Sequence, residues 1–404
     1  MRILTFSSLY PNAARPDHGI FVEQRLRHLI ATTEIVSKVV APVPWFPFGS
    51  SLFGKYAAFA RAPAMEVRHG IEVTYPRYPL IPKFGMLAAP LMMAAAMRPI
   101  ISGLLRSGYD FDLIDAHYFY PDGVAAVKLG QWFNKPVVIT ARGTDINLIP
   151  GYKLPRRMIV WAASHCAAVI TVCQALKDAL VDLGVAEHRI TTLRNGVDLD
   201  LFRPAYRQAA RARLQITGTT LLSVGHLVER KGHHIAIEAM KDLPDIRLIV
   251  AGDGEMKDEL VRFAASLGVA GRVTFAGAVP HEDLPCYYNA ADALVLASSR
   301  EGMANVLLES LACGTPVIAT RSWGTPEVVA SSHAGVLMEA RTPQSLATAV
   351  KHLLGAYPNR TETRRYAERF GWQDTSRGQL ALFERVLAAR GTASMNDRLQ
   401  DQCS

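Results

Sequence analysis

The chain has 404 residues, half of them hydrophobic, and a formal net charge of +8. That length suits two domains each large enough to bury its own core, and the hydrophobic share excludes a disordered chain. A surplus this diffuse fits an anionic ligand or an anionic membrane surface and does not argue for nucleic acid. The five cysteines (Cys166, Cys173, Cys286, Cys313, Cys403) are odd in number and lack CxxC spacing. They read as reduced thiols of a cytosolic protein, not as a disulfide framework or a zinc site.

Arg2 to Ser7 reads as a first strand, too short in apolar length for a signal peptide. The following loop holds His18-Gly19, and a helix begins near Phe21. A glycine at such a junction either admits a ligand close to the backbone or is an ordinary turn residue. Residues 43–106 mix Trp45, Phe46, Phe48, Phe53, Tyr56 and Phe59 with Lys55, Arg61, Arg68, Arg77, Lys83, Arg98 and Arg106. Only Glu66 and Glu72 oppose these seven cations, a formal surplus of five. The segment suits either a face resting on anionic lipid or core aromatics with a solvated basic rim. Its uncharged stretch Phe84 to Met97 is about 14 residues long and contains Pro90, short of the roughly 20 a spanning helix needs. No transmembrane span is expected.

Phe111 to Gly123 reads as strand, loop and helix start, with His117 just past the strand. Pro136 to Ile146 repeats the arrangement and exposes Arg142, Gly143 and Asp145. Strands alternating with helical stretches through His188–Asp198 predict a parallel, doubly wound sheet. Asp198-Leu199-Asp200 has DxD form but sits in a polar loop, and no metal site is expected. The basic stretch 201–218 lacks strand pattern and reads as an interdomain linker. Regular alternation resumes at 219, through Leu221, Ile246, Val273, Ala293, Val317 and Val336. Helical, polar sequence follows from Pro343, and 391–404 has no core pattern and is expected to be disordered.

The densest signal lies at Arg300 to Val317. The apolar run ADALVLASS precedes it, Asn305 to Leu311 has helical spacing, and VIA follows as the next strand. Glu301 to Ala304 therefore form a strand-to-helix turn at a sheet's carboxyl edge. Backbone N–H groups at Met303, Ala304, Asn305 and Val306, with the positive helix end, make a seat for phosphate. Glu301 and Glu309, eight residues apart, can face one ligand or simply be solvated. GHLVERKG (Gly225 to Gly232), AGDGE (Ala251 to Glu255) and WGTPEVV (Trp323 to Val329) likewise follow strand patterns.

Together these segments resemble the donor-binding half of a retaining glycosyltransferase of the GT-B architecture, family 4. That family is marked by two Glu separated by seven residues, a CGTPV-type turn and Gly-x-Pro-Glu, and the resemblance covers roughly residues 1 to 390. It implies an α/β fold of two Rossmann-like doubly wound domains facing each other across a cleft. They would span 1–200, completed by helices near 366–390, and 219–365. It also implies a nucleotide-diphosphate sugar as co-substrate, no cofactor, and a glycan or lipid-linked acceptor in surface polysaccharide synthesis. The enzyme would be cytoplasmic, peripheral on the inner face of the membrane. By the same resemblance His117 contacts the transferred sugar, Glu301 its hydroxyls, and Glu309 the ribose. Gly19 faces the donor phosphates, while Gly252, Gly254 and Val279 line the base.

Cleaving a sugar nucleotide builds negative charge on the diphosphate, which fixed cations must meet. Lys231 and Arg230 are placed for this. The family has Gly-Arg where this chain has Gly225-His226, and His-Gly where it has Arg142-Gly143. His226 therefore lacks an arginine's bidentate grip, which Arg230 or Arg142 could supply; Asp145 completes the expected donor set. No carboxylate is placed as a nucleophile, so front-face attack by the acceptor is the expected route. A sugar-nucleotide epimerase and a non-catalytic sugar-nucleotide-binding subunit share the need for a diphosphate grip and remain alternatives.

Overall fold

The structure, a computed structural model, describes residues 1–80 and 85–401. Lys83, Phe84 and the last three tail residues lie outside these, as does the side chain of Lys55. The chain forms two compact units: Met1–Arg194 with the C-terminal stretch from Trp372, and Asn195–Gly371.

Among the described residues the first unit has an eight-stranded sheet in the order β10-β9-β8-β7-β1-β2-β5-β4. The strands are β1 (Arg2–Phe6), β2 (Val36–Val40), β4 (Met65–Arg68), β5 (Ile71–Thr74), β7 (Leu113–His117), β8 (Val137–Ala141), β9 (Ala168–Thr171) and β10 (Ile190–Thr192). All pair in parallel except the edge strand β4, antiparallel to β5. Every residue of β7, β8 and β9 is buried, as helices on both sheet faces require. A separate parallel pair joins β3 (Val43–Pro44) to β6 (Arg77–Tyr78), so the aromatic segment after β3 and the chain after β6 leave from the same end.

The second unit has a wholly parallel sheet in the order β13-β12-β11-β14-β15-β16. Its strands are β11 (Thr220–Val224), β12 (Arg247–Ala251), β13 (Val273–Gly277), β14 (Ala293–Leu296), β15 (Val317–Thr320) and β16 (Gly335–Met338). Leu221, Leu248, Val250, Val295 and Ile318 pack with Ile237 and Val350 of the covering helices in one core. Parallel pairing gathers the loops after β11, β12, β13, β14 and β15 at one carboxyl edge, where ligands of such sheets bind.

Three expectations change. The stretch 201–218 is no linker: it belongs to the second unit and forms the helix Arg207–Arg213 against the helix Leu284–Ala290. Arg207 and Arg211 reach Asp292 at 2.5 and 3.4 Å, a carboxylate distant in sequence that local pattern does not reveal. The last helix starts at Trp372 and runs to Asp401, past the point where a structureless tail was expected. It packs on the helix Ile20–Thr32, stacking Trp372 on the His28 ring and placing Leu382 and Phe383 in the first core. The apolar stretch near Met97 belongs to a helix of 22 residues, Gly85–Arg106, whose part Leu87–Arg106 is long and apolar enough to cross a membrane. Met93, Ala94, Met97 and Ile101 are nevertheless fully buried along one stripe, and the helix packs on Val124–Phe133. That is a core-facing stripe, at the spacing of an amphipathic helix.

The basic segment also divides. Arg68 pairs with Glu23 at 2.6 Å, and Arg77 donates to the Tyr75 carbonyl at 2.9 Å. Arg61, Arg98 and Arg106 are exposed.

Candidate active site

In the second unit a 3-10 turn, Glu229–Lys231, follows β11 and ends at Gly232 with φ +73°. A Cβ at Gly232 would meet the Ala297 carbonyl oxygen at 2.1 Å, so this close crossing of two loops requires glycine. The Ser299 amide donates to the Arg230 carbonyl at 2.8 Å and ties the loop after β14 to the same turn. The result brings Lys231 Nζ to 2.6 Å from Glu301 Oε1, with Arg230 at 3.7 Å. Burial alone would raise the Glu301 carboxyl, but Lys231 and then Arg230 outweigh it and hold it below its ordinary range.

Glu309 lies within the helix Asn305–Ala312, whereas Glu301 precedes that helix, and the two have different partners. Tyr288 Oη donates to Glu309 at 2.7 Å and His281 Nε2 lies 3.2 Å from its other oxygen. Burial would lower His281, but its bond to Glu309 and that carboxylate's charge raise it. Asn195 braces the helix entrance: its amide donates to Met303 Sδ at 3.3 Å and its Nδ2 to Asn305 Oδ1 at 3.0 Å. Met303 and Ala304 are buried, while Asn305 and Val306 are half-buried. The loops after β11 and β12 are zipped, Leu227 donating to the Asp253 carbonyl at 2.9 Å between Gly252 and Gly254. His226 is exposed on the first of these loops and Val279 half-buried after β13.

In the first unit β7 ends at His117, whose register partner on β8 is Thr140. His117 is 1% exposed, and protein groups take both ring nitrogens. Nε2 lies 3.2 Å from Asp115 Oδ2, and Nδ1 lies 2.7 Å from an Arg142 guanidinium nitrogen. Burial drives His117 down to about 4; Asp115 opposes this and Arg142 adds to it, so the ring is neutral near pH 7. Tyr118, next in the chain, has φ +83°, a conformation few side chains adopt and a mark of backbone strain.

Two residues of the expected donor set also have structural contacts in this unit. The Asp145 carboxylate accepts from the amides of Gly143 (2.7 Å), Phe119 (2.8 Å) and Arg142 (3.1 Å), pinning the loops after β7 and β8 together. At Gly19, with φ +74°, a Cβ would stand 2.3 Å from the Leu9 carbonyl oxygen. Packing against Leu9 therefore requires a glycine here. Arg142 lies over the Phe21 ring at 5.4 Å and reaches the His117 ring.

The family model for glycosyl transferases group 1 matches residues 207–370, and that for glycosyltransferase family 4 matches 52–201. TuaC of Bacillus subtilis strain 168, named as a teichuronic acid biosynthesis glycosyltransferase, is 29% identical over 361 residues, covering 87% of this chain and 88% of its own. Sucrose-phosphate synthase from Thermosynechococcus elongatus superposes with a TM-score of 0.79 at 21% identity, over 96% of this chain and 99% of that one. HepE of Anabaena in complex with UDP-glucose superposes at 0.68 and 19% identity, over 97% and 99%. The chain is a glycosyltransferase of the GT-B fold, with a group 1 domain over residues 207–370 and a family 4 domain over 52–201.

This glycosyltransferase is thus a transferase enzyme whose Lys231 and Glu301, named from motif spacing, meet at hydrogen-bond distance. Sequence reasoning missed Asn195, Tyr288 and His281 in the second unit, and Asp115, Arg25 and Gln379 in the first. Of these only Asp115 left a local signal: it stands two residues before His117 on one strand, a spacing that puts both side chains on one face. The others come from segments distant in sequence and have no motif of their own.

Proposed function

We propose that this glycosyltransferase moves a hexose-type sugar, with retention, from a nucleoside diphosphate sugar to a glycan or lipid-linked acceptor in surface polysaccharide assembly. The observation that carries this reading is the contact of Lys231 with Glu301 beside Arg230 at the carboxyl edge of the second sheet. A sugar nucleotide offers a dianionic diphosphate next to sugar hydroxyls. Lys231 and Arg230 are suited to the first and Glu301 to the second, so the ligand would exchange each ionic partner for one of its own. Fixed cations answer the leaving-group charge, which supports a reaction independent of added metal. Family resemblance supports retention, by front-face attack of the acceptor. UDP-glucose bound to HepE supports a donor of that class, and the name of TuaC supports a polysaccharide acceptor.

A membrane-borne acceptor fits the first unit's surface. Trp45, Phe48, Leu52 and Phe53 are exposed, Leu52 at 91%, and Leu87 and Leu91 are exposed on the helix that follows β6. Arg61, Arg98 and Arg106 supply cations worth about 1 kcal/mol each near an anionic surface. The protein would then work as a peripheral enzyme on the cytoplasmic face.

Thermal-shift screening of nucleoside diphosphate sugars, then transfer assays on each hit, tests the activity. NMR of the product's anomeric centre tests retention, and an inverted product overturns it. Co-sedimentation with anionic and neutral vesicles at low and high salt tests the surface. Equal, negligible binding to both removes the membrane reading and leaves glycosyl transfer intact.

A further inference from the structure

The polar groups behind His117 form a chain that continues well beyond the residues assigned to transfer. Asp115 and His117 leave the same face of β7, and Asp115 Oδ2 accepts from the ring Nε2 at 3.2 Å. The same oxygen accepts from Gln379 Nε2 at 3.1 Å, on the last helix. Gln379 Oε1 accepts from Arg25 Nε at 2.7 Å, and Arg25 donates on to the Leu193 carbonyl at 3.1 Å. His117, Asp115, Gln379 and Arg25 are each at most 1% exposed, so water does not compete for these bonds.

The chain has one possible direction. A guanidinium only donates, so Arg142 fixes the lone pair of His117 at Nδ1 and its proton at Nε2, facing Asp115. Arg25 likewise fixes the Gln379 oxygen toward itself and the amide hydrogens toward Asp115. Reversing any member would set donor against donor or acceptor against acceptor.

We propose that Gln379 and Arg25 are positioning residues for the transfer site: acting through Asp115, they hold its carboxylate on the Nε2–H of His117 and so keep the ring where Arg142 bonds its opposite nitrogen. The proposal rests on the glycosyl-transfer reading above and on the contact of His117 with the transferred sugar that the family resemblance implies. In this arrangement His117 neither gives nor takes a proton. It is a rigid strut between Asp115 and the one cation at this edge where the chain departs from the family pattern. The charged groups facing the ring are Asp115 on its own strand, Arg142 from the loop after β8, and Arg25 from the helix Ile20–Thr32. A neutral amide at 379 suits them. It satisfies a cation and a carboxylate together, whereas a second carboxylate there could not donate to Asp115.

The test uses full-length protein and two near-isosteric variants. Gln379→Glu keeps an acceptor for Arg25 but loses the donor to Asp115, and Gln379→Met loses both. Ring ¹⁵N NMR should show the wild-type His117 as the Nε2–H tautomer and neutral down to about pH 4. In Gln379→Glu the added negative charge should raise the pH at which His117 takes up a proton. In Gln379→Met, Asp115 loses the donor that orients it, and the ring Nε2–H signal of His117 should shift and broaden as its bond to Asp115 loosens. Turnover in both should fall about tenfold or more, because the guanidinium that Gln379 and Arg25 hold in place belongs to the transfer site. A wild-type ring in the Nδ1–H form overturns the proposal, as does unchanged turnover in both variants with only a lowered Tm. If the wild type transfers from no nucleotide sugar, the functional reading has failed, and the NMR results alone still decide whether Gln379 positions the Asp115–His117 pair.

Discussion

The two units bring polar groups to the carboxyl edges of their sheets in opposite ways. Around His117 the first unit seals its charges: Asp115 lies between Arg25 and Arg142 with a neutral imidazole and a neutral amide between them. Burial alone would raise the Asp115 carboxyl, yet His117, Arg25 and Arg142 hold it below its ordinary range. Around Glu301 the second unit leaves its charges within reach of solvent, Lys231 at 13% and Glu301 at 10% side-chain exposure, each the other's partner. A sealed network has little freedom to rearrange and therefore fixes position. A pair of opposite charges at a sheet edge can instead exchange partners with a ligand bearing both phosphate and hydroxyls. The first unit thus contributes geometry and the second contributes charge.

The strongest way to break this comparison is Lys231→Ala. Removing one charge-stabilising group at the leaving phosphates should lower turnover on the order of 10²–10³-fold in a folded protein. Wild-type turnover in that variant would remove Lys231 from the chemistry.

The next effect concerns the sealed side. His117 takes up its proton only near pH 4 when folded, against about 6.5 unfolded, so the unfolded chain protonates first as pH falls. Its contribution to stability is complete above about pH 6.5 and is lost on acidification toward 4, on the order of 3 kcal/mol. Asp122 works the other way: burial raises it to about 7, so its contribution is present in acid and fades as pH rises toward 7. The stability difference between wild type and His117→Gln, measured by denaturant titration from pH 7 to 4, isolates the histidine. A difference that does not vary across that window would mean the ring is not held neutral.

Tyr288→Phe should have a smaller effect. It removes the hydroxyl that, with His281, bonds the buried Glu309 carboxylate and should destabilise the protein by about 1.5–2 kcal/mol, read by urea unfolding. Unchanged stability would mean that Glu309 draws its hydrogen bond from elsewhere. The smallest expected effect is none at all: a chelator should leave transfer unchanged. Loss of activity restored by Mg²⁺ or Mn²⁺ would contradict this and direct attention to Asp198, whose Oδ1 accepts the Asp200 and Leu201 amides at 3.0 Å.

Alternation of apolar strand runs with helical stretches was enough to predict parallel, doubly wound sheets, because burial on both faces leaves that pattern in the chain itself. A parallel sheet then sets which loops share an edge, so Lys231, Glu301, His117 and Arg142 could be named from their places after strands. Partners were not legible in the same way. Periodicity tells which face of an element is buried but not what it is buried against. The bond of Gln379 to Asp115 spans 264 residues of chain, and that of Lys231 to Glu301 spans 70. The arginines of 201–218 looked like a solvated linker until Asp292 stood beside them. Nor did local pattern show that the Asp145 carboxylate accepts from neighbouring amides or that Gly19 packs against the Leu9 carbonyl. Residue type and local spacing therefore determined the fold class and the candidate groups. Only the packing of distant segments decided which of those groups meet a partner inside the protein and which keep their charge at the sheet edge.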